Sequence, residues 1–442
     1  MKKFWFMVLL GALFVGGNSY AKIIDYESFK LDNGLEVVVL TNHKVPLGYS
    51  KLYYKVGAFN DPYSKGGIAH LLEHLMFRGT KKVKDKEFNR ITEEVGASDN
   101  AYTTYEHTAY YEFSDISKLE LMLALEADRM ENLVISDEVF YKERDVVLEE
   151  RLQRFETDKA TEFYEKLGKL FWDKHLYARP VSGEVEEIKN LKKEDAVEFY
   201  KKYYKPANAM LVLAGDISLD EAKEVVNKYF GKIENKNDEE IKIDVIEPKS
   251  DEIMISLTGE GIEHKRFVAY WYLEKENLSR KEKYALDFLN EYLSGDDSSF
   301  LYKKLVYQDK KFLSIGVDAD YDKKIGGNLM FYGVPVDEKM GNEEFRKIID
   351  ENIKQGVDSL DKERLEKIKN EMLSNAVYLI SNVNGLADFV GKLKIKGVSD
   401  DDIMRVDEMI KSIEIEDVKN VYEKVFLKKR RKVYAEIDKL KD

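Results

Sequence analysis

The 442-residue sequence predicts an α+β fold built as two homologous domains, each a mostly antiparallel sheet packed with helices. Three observations lead there. Short alternating runs bounded by turn residues are mixed with long helical runs. A polar, charged stretch divides the chain near its middle, and the order of elements then starts again. The apolar frame of one early helix also returns 218 residues later.

Residues 1–21 read as a secretory signal. Lys2 and Lys3 begin it, Phe4 to Val15 is an apolar run too short to span a bilayer comfortably, and Ser19-Tyr20-Ala21 offers small residues for cleavage after Ala21. The expectation is a chain exported to the periplasm without a stable membrane anchor. There is no cysteine, so neither a disulfide nor lipidation at the cleavage site is available. Formal charge is −13, and −15 once Lys2 and Lys3 are gone, which argues against nucleic acid and anionic membrane surfaces as partners. The mature chain divides into an N-terminal domain at 22–234, a linker at 235–250 and a C-terminal domain at 251–442.

Phe29 to Leu40 reads as a hairpin turning at Asn33-Gly34, and Tyr49 to Val56 as a strand ending before Gly57. Phe88 to Val95 is a short helix stopped by Gly96. Asn100 to Phe113 is rich in β-formers. Ile116 to Asn132 and Asp137 to about Phe155 read as helices, with more helix to Trp172 and again up to Tyr204. Ala209 to Ala214 is a strand. Beyond the stretch at Asn235 to Glu240, Glu252 to Leu257 and Arg266 to Leu273 resume as strands.

The chemistry concentrates in Gly66 to Thr80, GGIAHLLEHLMFRGT, which carries two of the six histidines. On a helix His70 and His74 lie one turn apart on one face, with Glu73 between them in angle. Two imidazoles so placed can hold one Zn²⁺, and the carboxylate beside them can hold and deprotonate a water. The order H-x-x-E-H reverses the commoner H-E-x-x-H. Leu71, Leu72, Leu75, Met76 and Phe77 make the helix apolar and therefore buried, so its polar side chains need partners.

The returning frame is Phe288-Leu-Asn-Glu-Tyr-Leu293. Phe288 and Tyr292 stand where His70 and His74 stand in the first copy, while Glu291 keeps the place of Glu73. Lys142-Glu-Arg144 likewise returns as Lys362-Glu-Arg364, and Glu150 is answered by Asn370. The second copy has lost the ligand positions. A purely structural pair of core histidines gives no reason for that difference. A third, acidic ligand is expected from a neighbouring element, and Glu143 and Glu150, two turns apart on one face of a helix turned inward at Val146 and Val147, are the candidates.

With Asn33-Gly34-Leu35, Gly67 to Thr80, Asn100-Ala101-Tyr102-Thr103, Glu143-Arg144 through Glu150, His175-Leu-Tyr with Gly183, and Tyr204 to Asp216, the chain resembles the pitrilysin/insulinase family of inverted-motif zinc metallopeptidases. It is most similar to the two-domain branch that includes the mitochondrial processing peptidase and bacterial relatives. The resemblance implies a zinc metalloendopeptidase with one Zn²⁺ per chain, ligated by His70, His74 and Glu150. It implies Glu73 as the catalytic base, Glu143 as a second acidic helper, and Asn100 and Ala101 on the edge strand along which an extended peptide lies. Active members also carry an Arg and, seven residues on, a Tyr in the C-terminal copy, which stabilise the oxyanion. Here Val306 and Leu313 hold those positions, with Tyr307 and Lys310 nearby but out of phase. The implied partner is therefore a paralogous two-domain subunit in a heterodimer, with a homodimer as the competitor. The alternatives are a non-catalytic family subunit and a zinc-dependent peptide-binding module. Of the remaining histidines, His43 and His264 are expected at the surface, His107 packed on a strand, and His175 in a structural loop.

Overall fold

The computed structural model describes residues 24–157, 159–235, 246–259, 262–274, 278–321, 323–379 and 382–439. The signal assigned to 1–21 and most of the linker lie outside these residues.

The first half runs β1 (Glu27–Lys30), β2 (Glu36–Thr41), β3 (Leu47–Tyr54), α1 (Ile68–Leu75), α2 (Glu87–Glu94), β4 (Ser98–Thr103), β5 (Thr108–Asp115), α3 (Ile116–Asn132), α4 (Asp137–Thr157), α5 (Lys159–Trp172), α6 (Val185–Asn190), α7 (Lys193–Tyr203), β6 (Ala209–Gly215) and α8 (Leu219–Phe230). β1 and β2 form the hairpin expected around Asn33-Gly34, and the Asn33 amide ties the turn to the carbonyls of Phe230 and Ile233. Asp115 starts α3 by accepting from the Ser117 amide, satisfying one of the amides a helix leaves open.

The second half runs β7 (Glu252–Gly259), β8 (Arg266–Leu273), α9 (Arg280–Ser294), β9 (Phe312–Asp320), β10 (Gly327–Pro335), α10 (Asn342–Ser359), α11 (Lys362–Leu379), α12 (Val383–Ile395), α13 (Asp400–Met404), α14 (Val406–Lys411), α15 (Ile415–Phe426) and β11 (Lys432–Lys439).

The two sheets share one topology. The first is ordered β1-β2-β6-β3-β5-β4 and the second β7-β11-β8-β10-β9. In each, the last strand returns to the centre and pairs in parallel with one early strand, β6 with β2 and β11 with β7, while every other pairing is antiparallel. The internal recurrence of the sequence is thus a recurrence of fold.

The helices are shared between the halves. One face of the first sheet packs on its own helices, through Leu52, Tyr54, Leu211 and Leu213 against Leu71, Leu72 and Leu75. Its other face, Val38, Tyr53 and Val212, is covered by Val383, Ala387 and Val390 of α12. Reciprocally, Phe163, Leu167 and Phe171 of α5 cover Val268, Val433 and Ala435 of the second sheet. Each half therefore closes the open face of the other. Because α12 lies directly on the first sheet, a Cβ on Gly391 would stand 2.7 Å from the Tyr53 hydroxyl oxygen.

Candidate metal centre

Helix α1 is held between α4, α7 and β4. Its start is fixed by Asp61, whose carboxylate accepts from the amides of Gly67 at 2.7 Å and Ala69 at 3.1 Å, a cap that also suits the positive end of the helix. Gly67 has φ +87°, and a Cβ there would stand 2.4 Å from the Ser182 carbonyl oxygen. Glycine alone permits both that backbone conformation and that approach.

From this helix His70 and His74 meet α4. The two rings are 4.9 Å apart and almost perpendicular, at 79°. Glu150 Oε2 lies 3.9 Å from His70 Nε2 and 3.6 Å from His74 Nε2. One ligand atom from each residue can be chosen with all three within 4.8 Å of one another. A tetrahedron of ligands about 2.0 Å from zinc has edges of about 3.3 Å, so the two nitrogens and one oxygen suit such an ion. Three protein donors leave one position open, the mark of a catalytic rather than a structural site.

Around them stand groups that set orientation and charge. His74 Nδ1 lies 3.8 Å from Glu143 Oε2, and Glu143 is buried and also paired with Arg78. Thr103 donates to Glu73 Oε2 at 2.5 Å. His70 Nδ1 is buried without a hydrogen-bond partner. Burial, with His74 and Arg154 adding to it, pulls the His70 imidazole down to about 4, so its ring is neutral at pH 7. Burial pushes the Glu73 carboxyl up, against the Thr103 hydrogen bond and the His74 charge. For His74 burial works downward, yet the carboxylates of Glu143, Glu73 and Glu150 carry it above the usual value. Burial likewise opposes ionisation of Glu143, but His74 and Arg78 hold its carboxyl below the usual range.

Two details differ from the sequence expectation. Val147 is buried, but Val146 is exposed, so the inward face of α4 runs through Phe140, Glu143, Val147 and Arg151. Glu150 is not on a buried face: its side chain keeps 54% of its exposure, at the rim of the centre. Asn100 and Ala101 lie on β4, the edge strand of the first sheet, and the Asn100 side chain accepts from the Ala101 amide at 2.8 Å. His43 and His264 are exposed as expected. His175 is buried, with Nε2 2.8 Å from the Ile325 carbonyl and Nδ1 accepting from the Tyr177 amide. His107 is buried, in the turn between β4 and β5 rather than on a strand.

Sequence reasoning assigned no role to Thr103, Arg78 or Arg154. Arg78 lies three residues past the end of α1 and pairs with Glu143 of α4, a contact its place in the sequence does not announce. Thr103 meets Glu73 only because β4 crosses α1. Arg154, one turn beyond Glu150, lines a cleft of about 530 Å³ between α5 and the second sheet, with Tyr164, Trp172, Tyr270 and Lys323.

In the second half Phe288 and Tyr292 are buried in the apolar core of α9, and Glu291 and Asn370 line one cleft. The positions equivalent to Glu73 and Glu150 thus meet again, without the histidines.

The description of the insulinase family, peptidase family M16, matches residues 36–184, and that of the M16 inactive domain matches residues 190–372. The chain belongs to this family. Among M16 relatives it is 30% identical over 392 residues to the zinc protease PqqE of Helicobacter pylori, covering 88% of this chain and 84% of that one. It is 31% identical over 180 residues to the mitochondrial-processing peptidase subunit beta of Bos taurus, covering 41% of this chain and 36% of that protein. In fold it is similar to a protease from Helicobacter pylori, with TM-score 0.84 at 24% identity over 94% of this chain and 99% of that one. It is also similar to the first half of the periplasmic protease PqqL from Escherichia coli, with TM-score 0.78 at 15% identity over 93% and 92%. The M16 relatives support a peptidase. No helix of the described residues is long and apolar enough to cross a membrane.

Proposed function

We propose that this M16 chain is an exported, periplasmic zinc endopeptidase that hydrolyses extended or unfolded peptides. The observation that carries the reading is the convergence of His70, His74 and Glu150 with Glu73 beside them. In it His70, His74 and Glu150 hold one Zn²⁺ per chain. Zinc bound there supplies Lewis-acid activation of a water and of the scissile carbonyl. Glu73, its carboxyl raised by burial and steadied by Thr103, would take the proton from a water held there. Glu143, facing His74 Nδ1, orients the ring and keeps Nε2 turned towards the metal. The division into 22–234, 235–250 and 251–442 belongs to the same proposal.

The peptide lies along β4. That strand has one open edge, and an added strand would take up its free backbone groups. The Asn100 side chain holds the Ala101 amide and gives it up to the peptide.

A second reading rests on one observation. Val306 packs into the second core and Leu313 is 54% exposed, and neither side chain can donate to a developing oxyanion. The chain then works with a paralogous subunit that supplies the donors, or as a homodimer.

The test is cleavage of an unstructured fluorogenic peptide, with and without a zinc chelator. Cleavage should stop with the chelator and return with zinc. Glu73→Gln should keep its zinc and lose about 10² or more in rate. Chelator-resistant cleavage, or near-normal turnover in Glu73→Gln, would overturn the reading.

A further inference from the structure

A second cleft, of about 520 Å³, lies on the opposite face of the first sheet from the histidine cluster. Its floor is the aromatic surface of Tyr49, Tyr102 and Tyr111, and its far wall is α12 of the other half. Tyr102 points to this side while its neighbours Ala101 and Thr103 pack on the α1 side. The volume is that of a small-molecule site, which runs about 300–1,000 Å³.

Four lysines line this cleft against the three carboxylates of Glu106, Asp320 and Asp388. Lys51 is buried beneath the rings of Tyr102 and Tyr111, 4.9 Å from each, and is neutralised by Asp388 at 2.7 Å. Lys323 is paired with Asp320 at 2.9 Å. Lys392 and Lys396 also line the cleft and have no counter-ion among the described residues.

His107 adds a ring nitrogen without a partner. The Thr104 hydroxyl oxygen accepts from the amides of Glu106 at 3.1 Å and His107 at 3.0 Å, which uses both lone pairs. Its one proton is donated to the His107 carbonyl at 2.9 Å, with His107 Nδ1 at 3.2 Å from the same hydroxyl oxygen. His107 Nε2 is buried and has no partner. A buried polar atom needs a partner, and beside an anion this one serves as the Nε2–H tautomer.

We propose that this cleft binds a small aromatic carboxylate, its ring on Tyr102 and Tyr111 and its carboxylate between Lys392, Lys396 and His107 Nε2. An aromatic body matches the apolar floor, and an anion meets the unpaired ammonium groups and the unpartnered ring nitrogen.

Calorimetric titration of the full chain with 1-naphthoate near neutral pH tests this. One saturable site is expected, about tenfold or more tighter than for the neutral 2-naphthol. The double variant Lys392→Glu, Lys396→Glu, made at two exposed positions, should weaken 1-naphthoate about tenfold or more without lowering the melting temperature. His107→Phe keeps a ring, removes the unpartnered nitrogen and should weaken binding similarly. Absence of saturable binding, equal binding of the two probes, or wild-type affinity in the lysine double variant would overturn the proposal. The comparison of probes on the native chain needs no variant, so the test survives a substitution that fails to fold.

Discussion

His74 Nδ1 stands 3.8 Å from Glu143 Oε2 while its Nε2 faces Glu150 at 3.6 Å. One imidazole thus spans two carboxylates seven residues apart on α4. A carboxylate behind a ligand histidine sets the tautomer and raises basicity, and its loss costs about 10 to 100-fold in metal affinity. Glu143→Gln should weaken zinc by that factor, read by competition with a chromogenic chelator. Unchanged affinity would show that Glu143 serves the fold through Arg78 instead.

The ligand set makes a separate prediction. Purified mature protein should carry about one zinc per chain, and His74→Ala should lose most of it, because two donors do not make a closed site. Elemental analysis finding full occupancy in His74→Ala would remove the assignment.

The shared helices predict mutual dependence of the halves. A fragment of residues 22–235 leaves Val38, Tyr53 and Val212 without the cover of α12. It should aggregate or bind a hydrophobic dye when expressed alone, and be rescued by co-expression of residues 246–442. A monodisperse, cooperatively melting 22–235 fragment in size exclusion and calorimetry would contradict this.

His107 predicts a pH dependence of stability. Burial, with Lys396, Lys51 and Lys392 adding to it, holds its imidazole down at about 4. Above its ordinary value the ring is neutral in folded and unfolded chains alike. As pH falls below about 6.5 the unfolded chain takes up a proton that the folded chain refuses until about 4, so stability is lost. The loss is about 2–3 kcal/mol between pH 7 and 4.5. His107→Gln should lack this part of the slope. Urea unfolding of both proteins at the two pH values isolates it, since the carboxylates contribute equally to each.

The missing oxyanion donor predicts a slow enzyme when the chain is alone. Lacking one such donor costs a factor of about 10² to 10³ in rate. Titration with a paralogous subunit carrying the Arg and Tyr should restore it. The alternative is a homodimer using Tyr307 or Lys310, both exposed beside Val306. Full activity of the isolated chain, unchanged by the paralogue and undiminished in a Tyr307→Phe, Lys310→Ala double variant, would place the donor elsewhere.

The local elements were legible in the sequence because their causes are local. Apolar period and the Asn33-Gly34 turn act over a few residues, and Ile116–Asn132 and Arg266–Leu273 form with the bounds expected. The spacing of His70, Glu73 and His74 is a property of one helix turn, so the sequence alone put them on one face. The recurrence at Phe288 and Tyr292 announced a second copy of the fold. Tertiary structure alone decided what crosses between elements. Thr103 reaches Glu73 across 30 residues, and Glu150 reaches the histidines only because α4 packs on α1. The exchange of α5 and α12 left no mark in the pattern, because an apolar helix face reads the same whichever sheet it covers. The hydrophobic effect that buries such a face is non-directional, so its partner is chosen by shape and chain path.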